Sequence, residues 1–407
     1  MRSLDEQLGR VLDAAVRPAP VRVAISEAQG MLCAEEIVAQ RALPGFDQAA
    51  VDGYAVRSID VTEVPVTLPV VGEIAAGSLQ PMRLQPGQAV RVATGSALPA
   101  LADAVVPLGH AERGAEHAAR VTVTRTVPSR AYVRRTGDDV QTGDVAVRPG
   151  AVIGSAQVGL LAAVGRAKVR VHPRPRLSVL SVGDELVDVD RTPGTGQLYD
   201  VNSYALAAAA RDAGADVHRV GIAPSDPSRL RDAVEGRLLV SEIVVVTGAA
   251  GGSVGDELCT ALAELGPLDV GRVAMHPGSV QGFGRLGPDS VPTFLLSSNP
   301  ISALVVFEVL VRPLIRLALG KRNPYRRTIA ARLLSPVTSV AGRCGFLRGQ
   351  LLRDPDTGEY LVQPLGISGA HLLTSLAEAN CLILVDADTT EVPVDEEVAV
   401  SFLAQRA

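Results

Sequence analysis

The segment Glu242-Ile-Val-Val-Val-Thr-Gly-Ala-Ala-Gly-Gly-Ser-Val-Gly255 decides the fold. Its first half is apolar and β-branched without alternation, the pattern of a strand covered on both faces. It runs straight into a glycine-rich turn and then into a helical stretch at Glu257–Leu265. The same texture recurs upstream. Arg176-Leu-Ser-Val-Leu-Ser-Val-Gly183 reads as a buried strand ending in a glycine turn, and Asn202–Ala213 as an Ala-rich helix closed by Gly214. Val217–Ile222 then reads as a strand and Asp226–Leu239 as a helix. Strands and helices alternating at this spacing predict a parallel sheet with helices on both faces. Ligands of such sheets bind beyond the carboxyl ends of the strands, where both glycine turns fall.

Outward from this α/β segment the texture changes. Residues 3–17 carry apolar side chains every three to four positions (Leu4, Leu8, Val11, Leu12, Ala15), which predicts an amphipathic helix stopped by Pro18. From about residue 20 to 175 short Val, Ile and Thr runs are punctuated by Gly and Pro, as in Val64–Val71, Gln88–Ala93, Ala104–Pro107 and Arg120–Val127. That predicts mostly antiparallel β structure. After Pro324 the β texture returns at Thr328–Leu334, Phe346–Leu352, Tyr360–Pro364, Cys381–Val385 and Val398–Leu403, which predicts a small C-terminal barrel.

A chain of 407 residues is too long for one ordinary core. The net charge of −5 and an aromatic content of 3% without Trp argue against nucleic acid or an anionic membrane as the main partner. Cys33, Cys259, Cys344 and Cys381 are scattered without CxxC spacing, so neither a zinc site nor a disulfide framework is expected. The most apolar helical run, Ile301–Leu319, is broken by Glu308, Arg312 and Arg316 and is too charged to span a membrane. The polar start Met1-Arg-Ser-Leu-Asp-Glu-Gln-Leu has no signal-peptide core, and a cytoplasmic protein is expected.

Several motifs carry a resemblance in their order and spacing. They are Pro44-Gly-Phe-Asp-Gln-Ala-Ala-Val-Asp-Gly-Tyr-Ala-Val-Arg57, Gly72-Glu-Ile-Ala-Ala-Gly77, Pro86–Gly95, Arg134-Arg-Thr-Gly-Asp-Asp-Val140, Leu180–Leu186 and Gly196-Gln-Leu-Tyr-Asp-Val-Asn202. Over nearly its whole length the chain resembles the molybdopterin molybdenumtransferase family, the bacterial MoeA proteins and the E domain of gephyrin. The resemblance implies an α/β plus β multidomain chain, an elongated homodimer of four subdomains. Subdomain I would take residues 1–26, 42–56 and 130–175, and subdomain II residues 27–41 and 57–129. Subdomain III, the molybdopterin-binding-like α/β part, would take 176–326, and the barrel, subdomain IV, 327–407. The active cleft of the family joins the α/β domain of one subunit to the N-terminal β region of the other. The implied reaction takes adenylylated molybdopterin, inserts molybdate with Mg²⁺ and releases AMP.

Residue by residue, Asp52, Thr94 and Glu185 match the family and are retained as catalytic candidates, Glu185 also as a metal ligand. Each has a plainer reading. Asp52 precedes a glycine and suits an Asx-turn, Thr94 suits a turn, and Glu185 suits a helix N-terminus. In the glycine-rich loop, Gly248, Gly251, Gly252 and Ser253 offer backbone N–H groups at a helix start, an arrangement that binds anions. Asn299-Pro300 also starts a helix, and Asn299 joins this cofactor-binding set.

Other positions depart from the family. Its glycine-rich motif ends in a functional Asp that falls on Leu258 or on Glu257, depending on where one extra loop residue is placed. Leucine cannot ligate Mg²⁺, so Glu257 or Asp256 would have to substitute, Glu257 as the metal ligand. A second family Asp is Ser225 here, leaving Asp226 to cap the helix begun by Pro227. The Met-Lys-Pro-Gly-Lys-Pro motif becomes Met275-His-Pro-Gly-Ser-Val280, with both lysines gone. Leu296-Ser-Ser-Asn-Pro-Ile-Ser302 lacks the usual Pro-Gly.

These departures cluster on metal and anion ligands, and they lead to the expectation of an eroded molybdotransferase site on a kept fold. Two functions follow. One is a cytoplasmic scaffold, recruited to the division site, that binds a short linear peptide of a cytoskeletal or membrane-receptor partner such as an FtsZ-like tail. By the resemblance to gephyrin, its groove would lie between the N-terminal helix region and the C-terminal barrel of the other subunit and use Asp5, Leu8 and Phe346, though Asp5 also suits a helix cap and Leu8 and Phe346 a core. The alternative is an active molybdopterin molybdenumtransferase of molybdenum cofactor biosynthesis, using Mg²⁺, molybdopterin and molybdate. A scaffold needs none of these cofactors.

Overall fold

The computed structural model describes residues 1–78, 82–113, 119–251, 253–366 and 373–403. It divides into two compact units, one made of Met1–Pro20 with His172–Ala407 and the other of Val21–Val171.

In the first unit a six-stranded sheet is formed by β1 (Arg176–Val182), β2 (Asp216–Ala223), β3 (Ile243–Thr247), β4 (Leu268–Arg272), β5 (Val280–Leu286) and β6 (Val291–Leu296), in the order β2-β1-β3-β6-β5-β4. The pairs β1–β2, β1–β3 and β3–β6 are parallel, as the unbroken apolar runs predict. The edge is different. β5 pairs antiparallel with both β6 and β4, so the sheet is mixed rather than wholly parallel. The local reason is a tight turn at Gly287–Ser290, where Ser290 N–H donates to Gly287 O at 3.1 Å and returns the chain beside itself.

Helices α1 (Leu4–Leu12), α2 (Asn202–Ala213), α3 (Pro227–Leu238), α4 (Ser253–Ala263) and α5 (Pro300–Val306) belong to the same unit. Gly214, at φ +108°, closes α2, and Asp226 caps α3 by accepting from Arg229 N–H at 2.9 Å, both as expected. α1 is capped by Ser3, whose hydroxyl accepts from Glu6 N–H at 3.2 Å, not by Asp5. It spans Leu4–Leu12 rather than residues 3–17, and its apolar face packs on the core formed by α2, the helices at 300–318 and β6. Because of this packing Met1–Pro20 groups with the α/β unit, not with the N-terminal β region. The run 301–319 forms α5, a π-turn at Phe307–Val311 and a last helical turn at Arg312–Ala318. Among the described residues no helix is long and apolar enough to cross a membrane.

The C-terminal residues form a closed barrel. Strands 344–353, 360–364, 328–333, 397–402 and 381–385 pair in sequence, and 381–385 pairs back onto 344–353. All five appear where the sequence pattern places them. In the second unit, strands between Gly53 and Val123 form another six-stranded sheet, and Val21–Ala24 pairs with Lys168–His172.

Candidate functional site

β1, β3 and β6 end together, and beyond their carboxyl ends lies a cleft of about 480 Å³. Glu185, Tyr199, Asp200, Asn202, Thr247, Gly248 and Asn299 line it. One glycine makes the shape possible. Gly248 sits at φ +85°, and a Cβ there would lie 2.1 Å from the Val182 carbonyl oxygen, so only glycine lets the β3 loop pass the end of β1. A Cβ at Gly183 would lie 2.7 Å from both carboxylate oxygens of Glu185, which folds back over that glycine.

The cleft floor is a hydrogen-bonded chain. Thr247 Oγ1 donates to Ser181 Oγ at 3.1 Å, and Ser181 Oγ donates to Asp200 Oδ1 at 2.8 Å. Asp200, whose side chain is fully buried, also accepts from Ser203 N–H at 3.0 Å and from the Ser203 hydroxyl. A buried carboxylate is tolerated only when its lone pairs are used this way. On the far wall Asn299 Oδ1 accepts from Ser302 N–H at 3.0 Å and caps α5. Asn202 Nδ2 donates to Ser298 O at 2.8 Å, joining α2 to the same loop. Asn202 Oδ1 is buried with no hydrogen-bond partner among the described residues.

Asp200 and Asn202 were missed as site residues in the sequence. Both stand in the quoted motif Gly196–Asn202, and the signal was a carboxylate and an amide framing the start of an Ala-rich helix.

The glycine-rich loop resolves the question of Leu258. That side chain is fully buried in the core with Leu230, Val234 and Leu262, while Asp256 and Glu257 point outward from α4 and are exposed. Neither acid lines the cleft. Gly251 is exposed at φ +95°, Ser253 opens α4, and Gly252 lies outside the described residues.

A second, smaller cavity of about 90 Å³ opens where the barrel meets the α/β domain, lined by His276, Ile301, Thr338, Phe346 and Arg348. Burial lowers the pKa of Arg348, yet the guanidinium stays cationic at neutral pH, and its Nη2 donates to Gly366 O at 3.4 Å. Burial, and then the charge of Arg343, lowers the pKa of His276, so His276 is neutral at pH 7. Arg348 is thus the cation of this cavity, and it does not line the strand-end cleft.

In the second unit Thr94 donates to Asp52 Oδ1 twice, from its N–H at 2.7 Å and its hydroxyl at 2.7 Å. The Thr94 N–H, and then its hydroxyl, lower the Asp52 pKa below the ordinary carboxylate range. Asp47 makes the same pair with Thr136, at 2.8 and 3.0 Å. Repetition of the motif identifies the pairing as a way of fastening loops in this unit.

Leu4, Leu8, Val309, Phe346, Leu384 and Leu403 line an apolar groove of about 230 Å³ between α1 and the barrel, within one chain. Asp5 is exposed and does not line it.

Comparison with known proteins agrees with this architecture. Residues 2–165 match the MoeA N-terminal region (domain I and II), 178–317 a probable molybdopterin binding domain and 330–403 the MoeA C-terminal region (domain IV). The chain is 61% identical to molybdopterin molybdenumtransferase 1 of Mycobacterium tuberculosis, with 100% of each covered. It belongs to the MoeA family. Molybdopterin molybdenumtransferase 2 of Mycobacterium tuberculosis is 35% identical over 98% of this chain and 99% of that one. The crystal structure of the molybdopterin biosynthesis MoeA protein from Pyrococcus horikoshii superposes with a TM-score of 0.81 at 32% identity, covering 99% of each chain. The strand-end cleft falls inside the stretch that matches the molybdopterin-binding family model.

Proposed function

We propose that this chain is a molybdopterin molybdenumtransferase of molybdenum cofactor assembly, the alternative of the two sequence readings. The observation that carries it is the cleft itself, a polar, glycine-shaped site at the carboxyl ends of β1, β3 and β6 in the molybdopterin-binding stretch. The relatives' names support the same reading, and nothing in the comparisons supports an eroded site or a role in cell division.

The departures from the family motif weigh less once the fold is known. Leu258 faces the core, so that position serves packing in this chain. Asn202 and Glu185 both line the cleft, where an amide and a carboxylate suit the pterin and phosphoanhydride ends of the substrate.

Among the described residues no group of three or more His, Cys, Asp or Glu side chains forms a metal cage. Mg²⁺ commonly takes one or two protein carboxylates with substrate phosphates completing its shell, so Glu185 with the substrate fits it. Bound there, the ion would neutralise phosphate charge as AMP leaves. The test is AMP release from adenylylated molybdopterin with molybdate and Mg²⁺. Turnover that falls about a hundredfold in Glu185→Gln is expected. A folded wild-type protein without turnover would overturn the proposal.

The apolar groove favours a second reading, in which a homodimer of this chain also binds a short linear peptide from a cytoskeletal or membrane-receptor partner, such as an FtsZ-like tail, and is recruited to the division site. Leu8 and Phe346 share that groove, which is the specific observation behind it. Titration of such a peptide should lose its signal in Leu8→Asp and in Phe346→Ala. Unchanged binding in both variants would remove this reading.

A further inference from the structure

The register of the parallel sheet slips once. Val179 on β1 faces Arg219 on β2, but the next residue, Leu180, faces Gly221, so Val220 is an extra residue in the edge strand. A bulge of this kind re-aims the neighbouring side chain. Gly221, at φ +93°, accepts the local backbone that the bulge requires.

The side chain so aimed is Arg219, and it meets four groups. Both of its terminal nitrogens donate to Asp188 Oδ2 at 3.1 Å, and Nη1 donates to Ser203 Oγ at 3.2 Å. Nη1 also lies 4.0 Å from the buried Asp200 carboxylate. Its guanidinium stacks on the Tyr204 ring, 3.9 Å from the centroid, and the Tyr204 hydroxyl donates to Asp188 Oδ1 at 2.5 Å. No other cation pairs with Asp188 or Asp200 among the described residues.

These partners belong to the cleft. Asp188 is three residues beyond Glu185, in the excursion between Leu186–Val187 and Leu198–Tyr199, two short segments that pair in parallel. Leu198 N–H donates to Glu185 O at 2.8 Å, and Asp200 N–H to Val187 O at 2.9 Å. One guanidinium therefore ties the start of this excursion, through Asp188, to the cleft floor, through Ser203 and Asp200.

We propose that Arg219 is a positioning residue, a clamp that holds the excursion following Glu185 against the Asp200 network without touching substrate. The assignment rests on the molybdotransferase reading of the cleft. The mechanism is geometric. With Arg219 removed, Asp188 keeps the Tyr204 hydroxyl but loses its tie to Ser203 and Asp200, the segment after Glu185 is held less firmly, and a displacement of about 1 Å at a reacting group costs up to about a hundredfold in rate.

The experiment compares wild type, Arg219→Met and Arg219→Lys in AMP release from adenylylated molybdopterin, well below each melting temperature. Methionine keeps an apolar stem over Tyr204 and removes the charge and donors. A fall in kcat of about tenfold or more is expected for Arg219→Met, with partial recovery in Arg219→Lys, whose ammonium restores the charge but not the fork. A purely structural role would lower the melting temperature and leave kcat of the folded enzyme unchanged, and that result overturns the proposal. Hydrogen exchange of residues 186–199 is read on the same proteins. Arg219→Met should exchange about tenfold faster there than wild type. If wild type shows no turnover, the molybdotransferase reading falls while the clamp is still decided by this exchange. Identical protection in both proteins would end it.

Discussion

The strand-end cleft and the apolar groove lie in the same unit but are built by different means. The cleft is made by backbone. Gly248 leaves room that any side chain would fill, and buried hydroxyls and Asp200 fasten its floor. The groove is made by side chains, with Leu4, Leu8 and Phe346 half-buried and packed against the core. The contrast teaches where sequence departures matter. A changed letter in the cleft must be judged by the direction the side chain faces, because neighbouring positions on α4 point to opposite environments.

The sharpest way to break this comparison is Leu258→Asp, which restores the carboxylate that the family motif carries. Because Leu258 lies in the core, the variant should lose about 4 kcal/mol or more of stability, measured by denaturant unfolding, and gain no activity. Increased turnover with wild-type stability would show that position 258 faces the cleft. Glu257→Gln, one residue away on the exposed side, should stay within about 0.5 kcal/mol of wild type.

Gly248→Ala comes next. The added methyl meets the Val182 carbonyl at a left-handed backbone position, and a loss of about 3 kcal/mol is expected in the same assay. A stable, active Gly248→Ala protein would mean that the cleft is not shaped by backbone approach. Phe346→Ala should cost less, about 1–2 kcal/mol, below the range for a fully buried phenylalanine, because one side of the ring borders the groove. A loss as large as that of Gly248→Ala would make the groove part of the core.

The smallest effect is expected in the other unit. Thr94→Val removes the hydroxyl donor to Asp52, and the Asp52 pKa should rise toward the ordinary value of about 3.9, read by NMR titration. The folded pKa is depressed, so the stabilisation from this pair is present above the ordinary carboxylate pKa and is lost as pH falls through the folded value. Wild type and variant should therefore differ most at neutral pH, draw together as pH falls below about 4 and converge below the depressed folded value. An unmoved Asp52 pKa would show that the Thr94 N–H alone holds the carboxylate.

Much of the fold is legible in the sequence because its signals are local. The unbroken run at 243–247, Gly214 after an Ala-rich helix and Asp226 before Pro227 each act within a few residues, and each element formed there. The antiparallel edge was not legible, since β4 and β5 are glycine-bearing and weakly patterned. Of the site, Glu185, Gly248 and Asn299 were legible and meet in one cleft, whereas Asp200, Asn202 and Arg219 were not singled out. Arg219 reaches Asp188 across 31 residues, and no spacing rule announces such a contact.

By itself, the sequence determined the order of β and α/β segments, the glycine turns at strand ends and the family motifs, because periodicity and turn chemistry act between near neighbours. Tertiary structure alone decided that Leu258 is core, that Asp256 and Glu257 stand outside the cleft, and that Arg348 brings a cation to the cavity beside His276. The physical reason is that burial and hydrogen-bond partnership depend on which distant segments the folded chain brings together.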